Sequence, residues 1–230
     1  MERIKTLYKY RFELFLLSMV AIDYGALVFS SGIFEVYMSP LFSLMNLFAG
    51  VLLVSRNKYY FAPCLVLLMT SLVLIIAKGI NPEIKQVYKF MNVGALFIFY
   101  GIITVEIIYQ VWTAKNVSKN VIMGLIGGYM SLAFIGFFIC LTIEMIDPGS
   151  FKGLLDPTGN PELMVDRLKY YSYITIMTIG YGDIVPVSAL AQKGSMLIGL
   201  VGQFYLVIIT STIVGKFVNQ SHQPEDTVDS

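Results

Sequence analysis

Six long apolar stretches separate the polar parts of this chain, and they limit its possible folds more than any other feature. Each stretch is close to the length of about 20 residues that an α-helix needs to cross a bilayer. Charged residues make up only 13% of the chain, whereas a soluble domain carries about 25%. The sequence therefore predicts an all-α membrane protein with six transmembrane helices. The predicted helices cover residues 12–34, 38–55, 59–77, 88–112, 121–146 and 189–217.

The polar stretch between the fifth and sixth predicted helices has three parts. Residues 147–162 are rich in Pro, Gly and Asp and predict a loop. Residues 165–177 predict a short re-entrant pore helix, with Asp166 as its candidate N-cap. The chain continues as Thr178-Ile179-Gly180-Tyr181-Gly182-Asp183. Because non-helical backbone at membrane depth is tolerated only inside protein or beside a water-filled cavity, we expect this segment to line such a cavity.

Glycine occupies alternate positions of this segment, at Gly180 and Gly182. Carbonyl groups alternate in direction along an extended chain, and turning them all to one side requires backbone conformations that residues with a Cβ avoid. Rings of such carbonyl oxygens can replace the water around a monovalent cation. The hydroxyl of Thr178 can add one more oxygen at the inner end. The spacing predicts a selectivity filter.

With these residues the chain resembles the potassium-channel superfamily. Residues 178–183 match the family's filter signature, with Ile at a position usually held by Val. The resemblance covers roughly residues 119–217 and implies a tetramer in which four filters surround one axis. It also implies that K⁺ is the only bound metal ion and that no cofactor is needed. The residues expected to form the filter are Thr178, Ile179, Gly180, Tyr181 and Gly182.

Four further residues are expected to support the filter. Tyr170 and Tyr171 occupy the positions where the family has a pair of tryptophans that brace it, and Thr175 and Asp183 complete the set. We expect Asp183 to hydrogen-bond to a pore-helix hydroxyl such as that of Tyr171. The alternative is that both tyrosines lie at the level of the lipid headgroups, where aromatic side chains with a polar tip are common.

The sixth predicted helix carries the candidate gate. One of its faces, at helical spacing, is expected to line the pore and carries Gly199, Gln203, Leu206, Thr210 and Val214. Gly202 lies where the family's inner helix often has a hinge glycine, and a bend there would open a constriction around residues 210–214. Ser211 belongs to the segment that replaces the Pro-Val-Pro bend of voltage-gated relatives. Gly194 and Gly199 have an alternative role, which is to let helices pack closely.

The fourth predicted helix lacks the charges of a voltage sensor. Voltage-gated relatives carry arginine or lysine at every third position of this helix, because the field must act on charges that move. Residues 88–112 contain Lys89 at one end and no arginine. We therefore expect no steep voltage gating, although the order of six helices is that of voltage-gated channels.

Two acidic residues lie within predicted helices, Asp23 in the first and Glu106 in the fourth. Such carboxylates are costly in a membrane and face protein or water. They either titrate and couple pH to gating or form hydrogen bonds between helices, and the structural role is favoured. Glu106 is expected to meet Lys58 or Lys119. Glu144, near the outer end of the fifth helix, is expected to lie at the membrane interface.

Lysine and arginine in the loops predict the orientation. Eight of them precede the first helix or lie in the second–third and fourth–fifth connections, and three lie on the opposite side. Both termini are therefore expected in the cytoplasm, of a protein in the plasma membrane. The predicted units are an interfacial segment (1–11), a four-helix domain (12–117), a pore domain (118–217) and a short tail (218–230).

The predicted function is passive, potassium-selective conduction without catalysis. The expected partners are K⁺, membrane lipid and three further copies of the chain, with no nucleic acid. One alternative is a pore subunit of an active potassium uptake system, although such relatives carry four filter repeats in one chain. A second is a weakly selective cation channel, which the intact Gly180-Tyr181-Gly182 disfavours. A third is a membrane scaffold without conduction, which the intact filter makes the weakest alternative.

Overall fold

The computed structural model describes residues 8–29, 34, 38–80, 85–154 and 161–221. Predictions for the first seven residues, for part of the loop before the pore helix and for the end of the tail lie outside this part of the chain. The described residues are almost entirely helical. The α-helices are α1 (Arg11–Tyr24), α2 (Ser39–Val54), α3 (Lys58–Ile80), α4 (Lys85–Thr113), α5 (Lys119–Ile146), α6 (Pro161–Ile176), α7 (Ala189–Phe204) and α8 (Thr210–Ser221).

Three shorter kinds of element complete the fold. A 3-10 turn, Gly25–Leu27, follows α1. A π-helical segment, Tyr205–Ile209, joins α7 to α8, so that these three elements form one long rod. Strands β1 (Phe151–Lys152) and β2 (Val185–Pro186) pair antiparallel, with Phe151 opposite Pro186.

Three helices in the described part of the chain are long and apolar enough to cross a membrane. They are Met91–Thr113, Lys119–Ile146 and Ala189–Ser221, and two shorter apolar helices cover Ser39–Val54 and Lys58–Val73. These helices make the chain an integral membrane protein of the all-α class. The full set of six transmembrane helices stays a prediction.

The first predicted helix is wrong in its length. It was expected to run over residues 12–34, but the α-helix ends at Tyr24 and tightens into the 3-10 turn. The ring of Phe34 folds back onto Gly25, and a Cβ on that glycine would lie 2.2 Å from a ring carbon. The absence of a side chain at Gly25 allows this close contact.

Two of the first four helices pack against the fifth helix of the same chain. Helices α1 and α4 both contact α5, and α5 in turn contacts the pore helix α6 and the inner helix α7. A Cβ on Gly124 of α5 would lie 2.9 Å from Val111 and 3.0 Å from Phe12. Since a small residue lets three helices approach closely, this glycine helps to hold the four-helix domain against its own pore domain.

A buried polar network ties α1, α2 and α4 together at the predicted cytoplasmic end. Glu106 accepts hydrogen bonds from Asn57 at 3.1 Å and from Gln110 at 2.8 Å. The guanidinium of Arg11 donates to the other end of the Gln110 amide at 3.1 Å. The expected contact of Glu106 with Lys119 is wrong, because Lys119 pairs with Glu13 at 2.9 Å. Glu106 thus has the structural role that was favoured for it.

Candidate ion-selectivity site

The pore helix α6 is fixed by hydrogen bonds to the outer helix α5. The Ser172 hydroxyl donates to the Ala133 carbonyl at 2.7 Å, and the Tyr129 hydroxyl donates to the Ile176 carbonyl at 2.9 Å. Gly136 makes this contact possible, since a Cβ there would lie 2.5 Å from the Ser172 hydroxyl. Ile176 is the last residue of α6, so the hydrogen bond from Tyr129 of α5 fixes the end of the pore helix.

The chain leaves the pore helix through a tight turn. The amide of Thr178 donates to the Thr175 carbonyl at 3.0 Å, and the amide of Ile179 donates to the Ile174 carbonyl at 2.9 Å. The amide of Gly180 also approaches the Ile174 carbonyl, at 3.3 Å. The negative end of the helix dipole therefore lies beside the start of the filter segment, where it favours a cation.

The backbone of the filter segment alternates in handedness. Thr178, Gly180 and Gly182 have φ values of 60°, 56° and 79°, whereas Ile179 and Tyr181 do not have positive φ. Alternation of left- and right-handed residues turns successive peptide groups the same way, with amides on one side and carbonyls on the other. Thr178 is the only non-glycine residue with positive φ in the described part of the chain. A strained residue of this kind occurs where the surroundings enforce it.

The filter segment lies on the surface of the single chain. Ile179 is 47% exposed and Tyr181 is 70% exposed. No atom lies within 4 Å of a Cβ placed on Gly180 or Gly182. In the single chain the segment is therefore open on one side.

The two tyrosines of the predicted support have different partners. The Tyr171 hydroxyl donates to Ser195 of α7 at 2.7 Å, while Tyr170 interacts electrostatically with Asp183. The expected bond between Asp183 and Tyr171 is therefore wrong, because adjacent helical residues point about 100° apart and Tyr171 faces the inner helix. Tyr171 is buried edge-to-face against Phe151, at 5.2 Å between ring centroids. Tyr171 therefore packs inside the protein, between the loop that precedes the pore helix and the inner helix. Thr175 interacts with the side chain of Tyr171.

A small scaffold holds the chain just after the filter. The carboxylate of Glu144 accepts the amide hydrogens of Gly149 at 2.6 Å and Phe151 at 3.2 Å. It is buried, because the loop folds over it and uses it as an anchor. Gly153 has φ of +97°, and a Cβ there would lie 2.2 Å from the Asp183 carbonyl oxygen. The strand pair β1–β2 and this contact clamp the outer loop onto the end of the filter.

Gly202 packs against the end of the pore helix. A Cβ on it would lie 2.3 Å from Ile176 Cγ1 and 2.9 Å from the Ile176 carbonyl oxygen. The equivalent Cβ on Gly199 would meet no atom within 4 Å. In the single chain, Gly202 is therefore closely packed and Gly199 is not. The sequence analysis had predicted Gly202 as the hinge and had given close packing as the alternative role of Gly199.

The π-helical segment interrupts the predicted pore-facing stripe. A π-helix adds one residue per turn, so positions after Ile209 are rotated by about 100° relative to an uninterrupted α-helix. Leu206, Ser211 and Val214 are exposed, while Thr210 is half-buried. The continuous stripe expected from residue 199 to residue 214 is therefore wrong in its lower part. Sequence periodicity did not predict the π-helical segment. Tyr205 was the one available signal, because a hydroxyl in an apolar helix needs a hydrogen-bond partner. It donates to the Leu125 carbonyl at 2.6 Å.

Asp23 contacts the pore helix rather than the other helices of its own domain. Its Oδ2 accepts a hydrogen bond from the Tyr173 hydroxyl at 2.6 Å, and its Oδ1 lies 3.4 Å from the ammonium of Lys169. Sequence reasoning missed both partners. In the described part of the chain no group of His, Cys, Asp and Glu could hold a metal ion, and Cys64 and Cys140 are both free and buried.

Residues 166–219 match the family model described as Ion channel. The match begins in the pore helix and extends through the filter segment to the last helix. It supports an ion channel, which is a transport protein rather than an enzyme. No curated protein and no solved structure matches this chain.

Proposed function

We propose that this protein is a potassium-selective channel that conducts K⁺ passively as a homotetramer. The observation that carries the proposal is the alternating backbone of residues 178–182, which gives one chain a row of carbonyl groups directed to one side. Rings of such carbonyls replace the hydration shell of K⁺ in selective filters. Thr178, Ile179, Gly180 and Tyr181 would supply the oxygens, and Gly182 would complete the turn.

Fourfold assembly follows from the geometry of one wall. A single segment with open space beside Gly180 and Gly182 cannot surround an ion, and closed rotational symmetry is the usual way for identical chains to complete a ring. The inner helix supports this, since apolar residues such as Met196, Leu200 and Phe204 are exposed on the single chain. A second copy would cover part of this face, and the rest would line the pore.

The packing of Gly153 against the Asp183 carbonyl supports selectivity over weak selectivity. Carbonyl rings discriminate between ions only while their spacing and number are maintained. This contact and the electrostatic interaction of Asp183 with Tyr170 both act at the outer end of the filter. A weakly selective channel would have less need of two such restraints.

Gating by the fourth helix is not expected to be steeply voltage-dependent. Between Met91 and Thr113 the only charged residue is Glu106, which is held by Asn57 and Gln110. A field of 100 mV acts on one charge with about 2.3 kcal/mol, so an immobile single charge supplies almost no gating work. We further propose the plasma membrane, with both termini in the cytoplasm and Tyr181 at the outer mouth.

The experiment that tests the proposal is K⁺ flux in liposomes that contain the purified protein. We expect flux down a K⁺ gradient that Ba²⁺ blocks and that a Na⁺ gradient does not reproduce. The variant Gly180→Ala should abolish the flux, because the positive φ of this residue disfavours a side chain. Gly215→Ala is the matched control, since this exposed glycine lies in α8 and meets nothing within 4 Å.

Three results would contradict the proposal. Equal flux of Na⁺ and K⁺ would favour the weakly selective alternative. Flux that requires an energy source would favour the uptake-system alternative. A purified protein that is monomeric by mass measurement would remove the pore itself.

A further inference from the structure

A cavity of about 420 Å³ lies between the outer end of α1 and the pore helix α6. Its apolar wall includes Ile22, Phe34, Ile174 and Met177. Its polar lining comes from Asp23 of α1 and from Asp166, Lys169, Tyr170 and Tyr173 of the pore helix. The volume lies within the range of about 300–1,000 Å³ that is typical of small-molecule sites.

A buried carboxylate with one unused oxygen lines this cavity. The side chain of Asp23 is 5% exposed. Its Oδ2 is bonded to Tyr173, but its Oδ1 has no hydrogen-bond partner. The ammonium of Lys169 is 3.4 Å from Oδ1 and forms an ion pair with it. A buried carboxylate oxygen without a hydrogen-bond donor is costly. This oxygen is not exposed to solvent, so a ligand in the cavity reaches it by displacing Lys169.

The charge of the cavity favours a cation. Among the described residues that line it, the charged ones are Asp23, Asp166 and Lys169, which leaves an excess of one negative charge. Lys169 lies between the two carboxylates, 3.8 Å from Asp166 and 3.4 Å from Asp23. When another cation binds to Asp23, Lys169 can remain paired with Asp166, whose side chain is more exposed.

We propose that this cavity binds an amphipathic monoamine, of the alkylammonium class. The ammonium group donates to Oδ1 of Asp23, and the alkyl chain lies against Phe34, Ile174 and Met177. A compact alkyl chain fits the apolar wall, whereas an anion would meet the excess negative charge and a neutral ligand would leave Oδ1 without a charged donor.

A ligand in the cavity would alter the packing beside the filter. Ile174 lines the cavity, and its carbonyl accepts the amide hydrogens of Ile179 and Gly180. Tyr170, the partner of Asp183, lines the same cavity. An amine that shifts this side of the pore helix would therefore change K⁺ conduction. This consequence rests on the proposed channel function, while binding itself does not.

The test compares octylamine, which is protonated at neutral pH, with the uncharged 1-octanol. Binding of each to the purified full-length protein is measured by the concentration dependence of its thermal unfolding, at constant detergent. A charge-assisted hydrogen bond is worth enough for octylamine to bind about tenfold or more tightly than octanol. In Asp23→Asn this ratio should fall to about one.

Two further variants complete the test. Glu13 lies on the same helix as Asp23 and pairs with Lys119. The control variant Glu13→Gln should therefore keep the tenfold preference for octylamine over octanol. Ile22→Phe narrows the cavity and should weaken both compounds alike, which tests the site even if Asp23→Asn does not fold. A ratio near one in the unsubstituted protein, or a ratio that Asp23→Asn leaves unchanged, would overturn the proposal.

Flux measurements separate this inference from the proposed function. Octylamine should change K⁺ flux in the unsubstituted protein and have a smaller effect in Asp23→Asn. Block of the pore itself would persist in Asp23→Asn and would count against the cavity. Amine binding in a protein without K⁺ flux would refute the proposed channel function and support the amine site. K⁺ flux without amine binding would support the channel function and refute the amine site.

Discussion

Substitution of Gly202 by Ala tests how the inner helix is held against the filter. The new Cβ would lie 2.3 Å from Ile176 Cγ1 and 2.9 Å from the Ile176 carbonyl oxygen. Carbon atoms in good contact are about 3.5 Å apart or more, so the helices must separate by more than about 1 Å. Overpacking of this kind costs about 1–3 kcal/mol. The same shift would disturb the Ile176 carbonyl, which accepts the Tyr129 hydroxyl.

The matched control is Gly199→Ala, one turn earlier on the same helix. Its Cβ would meet nothing within 4 Å, and alanine favours a helix over glycine by about 1 kcal/mol. Thermal unfolding of both purified variants, followed by K⁺ flux in liposomes, separates two roles of Gly202. We expect a less stable Gly202→Ala and an unchanged or more stable Gly199→Ala. If Gly202→Ala unfolds like the unsubstituted protein and yet conducts differently, Gly202 is a flexible hinge and the packing argument is refuted.

Three further substitutions test the surroundings of the filter and of Glu106. Gly153→Ala should lower stability by about 1–3 kcal/mol and hasten the decay of K⁺ flux, because its Cβ would overlap the Asp183 carbonyl; a stable variant with unchanged flux would contradict the clamp. Tyr170→Phe should hasten the decay of flux through loss of its electrostatic interaction with Asp183, whereas Tyr171→Phe should mainly lower the free energy of unfolding, by about 0.5–1.5 kcal/mol. Equal effects of the two substitutions in both assays would refute the different roles. Glu106→Gln should cost about 1–3 kcal/mol in thermal unfolding because one amide must face another donor, without a change in the voltage dependence of flux.

The sequence was most informative where one local property decides the structure. Hydropathy predicted the fifth helix as 121–146, and the structure has Lys119–Ile146. The pore helix, predicted at 165–177, runs over Pro161–Ile176, so its end was predicted within one residue, whereas Asp166 lies inside the helix and not at the expected N-cap. Alternating glycine predicted an unusual backbone at Gly180 and Gly182, and both have positive φ. Each of these features depends on a length or a conformational limit that a short window of sequence contains.

Partners and helix phase could not be predicted, because they depend on how elements meet. Whether Asp183 interacts with Tyr170 or with Tyr171 depends on the rotation of the pore helix against α7, which no short window contains. The π-helical segment Tyr205–Ile209 adds one residue to a turn without any proline or glycine inside it. Asp23 was correctly singled out as an unusual residue in an apolar stretch, but Tyr173 is distant from it in the chain and only the fold brings them together.

The four-helix domain is joined to its own pore domain at both ends, and this limits how it can influence conduction. At one end Asp23 contacts Lys169 and Tyr173 of the pore helix. At the other end the ammonium of Lys216 in α8 donates to the carbonyls of Trp112 and Ala114, where α4 passes into α5. Between Met91 and Thr113 the only charged residue of α4 is Glu106, which is hydrogen-bonded, so we expect the field between these two attachments to do little gating work. Any movement of the domain that affects the pore must therefore act through contacts, on the pore helix beside the filter or on the end of the inner helix. The buried carboxylate beside an open cavity makes the first of these the better place to seek a stimulus.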